Sequence, residues 1–159
     1  MKTILLIGGC GSGKTWVMLE LIKKLKLEIR ASFGMVSYIR DKNTLVLGKY
    51  TEGEIFQGSD RLSMAVMRDV PEFLEFAAAY KYCVCEGDRF TNSNFVAQAK
   101  PYVIRIKDDG KKGRKKRGST QTERQIKTIA TRVSNMKADV EVEDSSEALK
   151  LICKLVGKK

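Results

Sequence analysis

The feature that most constrains this sequence is a glycine-rich segment near its start. Eight consecutive residues satisfy the pattern G-x-x-x-x-G-K-[ST]: Gly8, Gly9, Cys10, Gly11, Ser12, Gly13, Lys14 and Thr15. An apolar run precedes them, and apolar residues at helical spacing follow. Glycines let backbone N–H groups converge on phosphate oxygens, and a helix N-terminus adds its dipole. The sequence therefore predicts a phosphate-binding loop, with Lys14 at the β- and γ-phosphates and the Thr15 hydroxyl on Mg²⁺.

Strand and helix patterns alternate along the whole chain. Predicted strands cover residues 2–7, 35–40, 44–47, 82–85, 102–106 and 140–142. Predicted helices cover residues 14–26, a segment from Arg61 that Pro71 kinks or divides, 92–99, about 120–133 (after Ser119 or Thr120), and a last segment capped by Ser145-Ser146. We expect a single α/β domain over 1–159, a P-loop NTPase three-layer sandwich with a mostly parallel sheet. A β-hairpin insertion near 35–48 and a basic loop near 107–124 complete the expected fold.

Two carboxylates follow the strand predicted at residues 82–85. Glu86 lies at the end of this strand, and Asp88 follows two residues later. A phosphate-binding loop of this kind needs a second acid near its metal ion, so one of the two is expected to hold Mg²⁺ directly or through water. The alternative is a turn with two solvated carboxylates.

The chain is strongly basic, with a formal net charge of +11. Part of this charge is concentrated in residues 107–117, which read KDDGKKGRKKR. A polyanionic partner would account for this excess, and DNA is the partner we expect. The alternative is a solvated basic surface that aids solubility.

The remaining composition narrows the chemistry. The chain contains no histidine, which excludes histidine acid–base catalysis and Ser-His-Asp hydrolysis. Its four cysteines lack paired C-x-x-C spacing, so we expect reduced thiols and no zinc site. No apolar stretch approaches the roughly 20 residues of a membrane span, and a cytoplasmic protein without membrane association is expected.

The run Asp88-Arg89-Phe90 resembles the Asp-Arg-aromatic motif of nucleotide kinases, thymidylate kinases in particular. The resemblance implies that Arg89 binds an acceptor phosphate and that Asp88 works near Mg²⁺. The basic segment near 107–124 falls where nucleotide kinases have a lid. By this resemblance Arg114, Arg117 and Arg124 are candidates for the arginines that close over the phosphates of ATP, with Arg132 one or two turns further on. The alternative is a mobile basic loop with no catalytic part.

A second resemblance is to small phage-encoded P-loop kinases, among them the 5-hydroxymethyluracil DNA kinases. It is carried by residues 47–50, 56–63 and 86–90. This resemblance implies phosphorylation of the hydroxymethyl group of a modified base within phage DNA, in the cytoplasm of an infected host cell. ATP and Mg²⁺ are the implied cofactors.

A hydroxyl acceptor must lose a proton as it attacks, so a carboxylate beside it is useful. Asp60 is the predicted base or hydroxyl-orienting group, and its alternative role is to cap a helix beginning at Arg61. Arg61 itself is a predicted substrate-binding residue, and Tyr50 and Phe56 could either stack on a flipped base or pack against the sheet. Two other functions stay open: a deoxynucleoside monophosphate kinase, and a DNA-binding switch that only hydrolyses ATP.

Overall fold

A computed structural model of the chain describes residues 1–51, 53–54 and 56–158; Glu52, Ile55 and Lys159 lie outside the described residues. The strands of the described residues are β1 (Lys2–Ile7), β2 (Ile29–Phe33), β3 (Val36–Arg40), β4 (Thr44–Leu47), β5 (Tyr82–Glu86), β6 (Tyr102–Ile106) and β7 (Val140–Val142). Their α-helices are α1 (Lys14–Leu25), α2 (Val70–Ala77), α3 (Ser93–Ala99), α4 (Lys111–Arg117), α5 (Glu123–Asn135) and α6 (Ser145–Leu155). The predicted α/β alternation is confirmed.

All of these strands belong to one sheet with the order β2-β3-β4-β5-β1-β6-β7. Strands β4, β5, β1, β6 and β7 are parallel, and β2 and β3 are antiparallel to their neighbours. Strand β1 lies between β5 and β6, so the glycine-rich segment leaves the sheet at its centre. In open parallel sheets, ligands bind beyond the carboxyl ends of the strands, where the connections diverge.

The sheet separates two apolar cores. Ile4 and Leu6 of β1 face one core, which they share with α1 and α6. Leu5 and Ile7 face the other core, which contains residues of α2, α3 and α5. Helices therefore cover both faces of the sheet, an arrangement compatible with three layers.

The hairpin β3–β4 is present, but it is not an insertion. Its second strand, β4, is buried along its whole length and pairs in parallel with β5, as part of the main sheet. Strand β2 was not predicted. Its Arg30 and Ser32 are exposed, because an edge strand needs to bury only part of its surface.

The helix predicted from Arg61 is also wrong. The chain forms two 3-10 turns instead, at Ser59–Arg61 and Val66–Arg68. Leu62 has extended backbone angles and ends the first turn. Pro71 then falls in the first turn of α2, where a missing N–H is tolerated, so the alternative of a second helix is confirmed.

The basic segment is a helix rather than a loop. Gly110 and Gly118, both with positive φ, bracket α4. Helix α5 begins later than predicted, because Thr122 rather than Ser119 or Thr120 forms a capping box with Gln125. Within the part of the chain described here, α5 is the longest helix at 13 residues, and none has the length and apolar character to cross a bilayer.

Candidate phosphate-binding site

The glycine loop, residues 8–13, joins β1 to α1 and positions Lys14 at the first residue of the helix. Gly13 precedes the helix with φ +92°, a conformation that L side chains rarely adopt. The Lys14 ammonium donates to the carbonyl oxygens of Gly8 and Gly9, each at 2.9 Å, and so lies across the loop. The predicted link between this loop and the N-terminus of a helix is confirmed.

Ser12 adds a donor inside the loop. Its side chain is buried, and its Oγ has no hydrogen-bond partner among the described residues. A buried hydroxyl without a partner is costly, and a phosphate oxygen would satisfy it. This orphaned donor, the lysine and the free N–H groups of the helix start fit a bound polyphosphate.

Helix α4 packs against the outside of the glycine loop. A Cβ added at Gly110 would lie 1.9 Å from the Cys10 carbonyl oxygen, so the two backbones are in direct contact. Arg114 Nη1 donates to the carbonyl oxygens of Cys10 and Asp109, each at 2.7 Å. Arg114 therefore braces the loop from outside, which corrects its prediction as a lid arginine.

The inner side of the loop opens into a cavity of about 260 Å³. Lys14, Thr15 and three carboxylates line this cavity, and the carboxylates are Glu86, Asp60 and Asp88. This volume is below the roughly 300–1,000 Å³ of sites that enclose drug-sized ligands. The cavity is therefore sized for phosphates and a cation rather than for a complete nucleotide.

Glu86, the last residue of β5, pairs in register with Leu6 just before the glycine loop. Its side chain is only 3% exposed. Burial raises the pKa of Glu86 to about 7, and the nearby Lys14 ammonium opposes this rise. The Tyr50 hydroxyl also donates to Glu86 Oε1 at 3.4 Å. A bound cation would therefore favour the charged form of the Glu86 carboxyl, and a bound phosphate would favour its neutral form.

The other two carboxylates reach the cavity from more exposed positions. Asp88 forms an ion pair with Arg132 of α5. Asp60 lies in the first 3-10 turn, where the capping position is Gly58 and no side chain caps the turn. The capping alternative for Asp60 is therefore wrong, and its exposed carboxylate is available to a ligand.

The donor set fits Mg²⁺ only together with a phosphate. Within the described ranges, no group of three or more His, Cys, Asp or Glu residues forms a metal cage. Mg²⁺ is usually held by one or two carboxylates plus phosphate oxygens and water, so a cage is not required. Thr15 and Glu86 or Asp88 are the residues that would hold it here.

A second, open cleft of about 670 Å³ adjoins the cavity, and the two share Phe56, Asp60 and Asp88 in their walls. Its basic residues are Arg89, Arg124 and Arg132. Arg124 therefore lies on this side rather than over the glycine loop, whereas Arg117 lines the loop cavity.

Helix α5 contributes a wall to this cleft, of which the sequence predicted only Arg124 and Arg132 as site residues. Gln125, Thr128 and Arg132 follow one another at spacings of three and four residues, which brings them to one face of the helix. This polar stripe was a detectable signal.

Two of the predicted substrate residues do not reach the cleft. The ring of Tyr50 is 5% exposed and its hydroxyl donates to Leu47 O at 3.2 Å, so it packs in the core and offers no face to a base. Arg61 pairs with Glu54 and lines a separate groove. Phe56 is 52% exposed and borders both cavities, as a stacking residue would.

Backbone contacts and side-chain hydrogen bonds hold the segments around the site in position. Lys49 and Gly58 exchange backbone hydrogen bonds of 3.0 and 2.7 Å, which close the segment between them. A Cβ at Gly58 would overlap Glu86 Oε1, so this glycine lets the segment approach the carboxylate. Arg89 Nε donates to Leu62 O at 3.3 Å and so holds the turn carrying Asp60 against the cleft.

The chain matches no protein-family model and no curated protein.

Proposed function

We propose that this protein is a P-loop kinase that uses ATP and Mg²⁺ to phosphorylate the hydroxymethyl group of 5-hydroxymethyluracil in DNA. One observation carries the proposal. Lys14 and three carboxylates line a phosphate-sized cavity at the glycine loop, and this cavity opens past Asp60 and Asp88 into a cleft lined by arginines. A donor site joined to an acceptor site by a carboxylate is the arrangement that phosphoryl transfer to a hydroxyl requires.

The donor side would hold the triphosphate of ATP. Loop N–H groups, the Ser12 hydroxyl and Lys14 would bind the phosphates, and Arg117 lines the same cavity. Thr15 and Glu86 or Asp88 would hold Mg²⁺, which neutralises charge on the β- and γ-phosphates when bound. Lys14 then contributes to rate mainly by stabilising charge that develops during transfer.

The acceptor side would orient the hydroxymethyl group. A bond forms between the hydroxymethyl oxygen and the γ-phosphorus, and the bond from that phosphorus to the β–γ bridging oxygen breaks. Asp60 takes the proton of the hydroxyl group. Phe56 offers an exposed ring to the flipped base, and Arg89, Arg124 and Arg132 offer charge to phosphates of the strand.

A deoxynucleoside monophosphate kinase is the second candidate. The three arginines of the cleft favour it, because arginine binds a monophosphate in bidentate geometry. The net charge of +11 and the exposed lysines of α4 favour DNA, since a free nucleotide requires only local charge.

The test is a competition for labelled phosphate. γ-Labelled ATP is offered with DNA containing 5-hydroxymethyluracil and with free deoxynucleoside monophosphates, at equal concentrations of acceptor groups. We expect label on DNA with wild-type protein and none with Lys14→Ala, whose fold is checked by circular dichroism. Label on a free nucleotide would establish the second candidate. Release only as inorganic phosphate would overturn both kinases in favour of an ATP-hydrolysing switch.

A further inference from the structure

Helices α1 and α6 pack side by side on one face of the sheet, and their outer surfaces enclose a groove of about 780 Å³. Trp16 of α1 and Leu149 of α6 supply its apolar surface. Its charged residues are Lys24, Lys150, Lys154 and Lys158. The groove thus combines an apolar surface with a row of lysines, and it lies on the face of the sheet opposite to α5 and the acceptor cleft.

The lysines of this groove are free to bind an anion. All four are exposed, and within the part of the chain that the structure describes none of them forms an ion pair. Glu20, the acidic residue of α1, pairs instead with Lys23 at 3.0 Å. No acidic side chain lines the groove within the described ranges.

Trp16 connects this groove to the phosphate site. Its ring is 44% exposed, and it lines both the groove and the glycine-loop cavity. Large exposed aromatic rings beside positive charge are the elements by which proteins bind single strands, since every base has a face that can stack. Lys150 and Lys154 are one helical turn apart, about 6 Å along α6, so they offer successive charges to an extended chain.

We propose that the α1–α6 groove binds a single-stranded segment of nucleic acid, with a base stacked on Trp16 and backbone phosphates on the lysines. The occupant must be a polyanion that also carries flat apolar groups, because the groove combines both features along its length. The nucleoside of ATP would match Trp16 alone and would leave the lysines without partners. The proposal rests on the proposed function only in taking DNA as the partner, and binding here requires no phosphoryl transfer.

The experiment uses the fluorescence of Trp16, which is the only tryptophan of the chain. Full-length protein is titrated with single-stranded oligothymidylate, without ATP, at several salt concentrations. The test variant is Lys150→Ala with Lys154→Ala. Its control, Lys42→Ala with Lys81→Ala, makes the same charge change at two exposed lysines beside the amino ends of β4 and β5.

We expect the oligonucleotide to quench the wild-type fluorescence. In the groove variant, the slope of log affinity against log salt should become shallower by about 1.4, because each of the two lost phosphate contacts contributes about 0.7 to the slope. The control should keep the wild-type slope and the wild-type quenching. Equal losses in both variants, or oligonucleotide binding that leaves Trp16 unquenched, would overturn the groove as the binding site.

The proposed function and this inference can be refuted independently of each other. If the groove variant loses oligonucleotide binding while the wild type transfers no phosphate to modified DNA, the groove stands and the kinase is wrong. If label still reaches DNA while Trp16 does not respond to the oligonucleotide, the kinase stands and the groove is wrong.

Discussion

Gly113→Ala tests whether α4 supports the glycine loop. Gly113 lies inside α4, where alanine ordinarily favours the helix by about 1 kcal/mol. Here an added Cβ would lie 2.0 Å from the Gly11 carbonyl oxygen, while ordinary contact begins at 3.4 Å, so α4 would have to retreat by about 1.4 Å. That movement would break the bond from Arg114 to Cys10, which is 2.7 Å long.

The expected cost follows from these opposing effects. Overpacking costs about 1–3 kcal/mol, and a charge-assisted hydrogen bond contributes about 1.5–3 kcal/mol. The two costs do not add in full, because the movement of α4 that relieves the overpacking is the movement that breaks the hydrogen bond. After the gain in helix propensity, the free energy of unfolding should fall by about 2 kcal/mol. For a chain of this size the melting temperature should then fall by about 4–8 °C.

Thermal denaturation measures this change, and isothermal titration with ATP measures its effect on the loop, where affinity should fall. Lys112→Ala is the matched control, because it places alanine at the adjacent exposed position of the same helix. The control should stay within about 0.5 kcal/mol of wild type. A Gly113→Ala protein that melts at or above the wild-type temperature, with unchanged ATP affinity, would refute the proposed bracing.

Three further predictions concern the carboxylates and arginines. The pKa of Glu86 is about 7 in the folded chain against an ordinary 4.5. Without nucleotide or Mg²⁺, the free energy of unfolding should therefore fall by up to about 3 kcal/mol as pH rises between these two values. Denaturant titrations should show that this pH dependence is removed in Glu86→Gln. Asp60→Asn should lower kcat by about 10²–10⁴-fold with nearly unchanged ATP affinity, and if Asp88→Asn alone does so in single-turnover assays, Asp60 is not the base. Arg61→Ala should leave steady-state kcat/KM for the acceptor near wild type, whereas Arg89→Ala should lower it at least tenfold; a larger loss at Arg61 would contradict the cleft described above.

The features that the sequence predicted are those set by local rules. The glycine loop is defined by eight neighbouring residues, and the strands around it are continuous apolar runs that periodicity detects. Pro71 and the turn before Thr44 are also local signals, and the structure agrees with both. By contrast, β2 was missed because an edge strand with Arg30 and Ser32 has no apolar pattern.

The errors in the site came from contacts between distant residues. Arg114 lies 104 positions from Cys10, and no sequence pattern relates the two. Tyr50 lies in the loop after β4, 36 positions from Glu86, and its hydroxyl reaches that carboxylate, so the alternative of packing against the sheet is the correct one. Arg61 was expected to bind substrate, but Glu54 competes for it. For Arg114 and Tyr50 the deciding partner is known only after the sheet has been assembled, whereas Glu54 lies only seven positions from Arg61.

The central position of β1 also determines when the site can form during synthesis. Lys2 pairs with Tyr82 and Ile4 pairs with Tyr102, so β1 must wait for two strands that are made later. At about 5–20 residues per second, the 98 residues from Ile4 to Tyr102 take about 5–20 s to emerge from the ribosome. Until then an apolar strand stays exposed, and the glycine loop has no scaffold. Nascent chains that end before β6 should therefore bind chaperones and should not bind ATP.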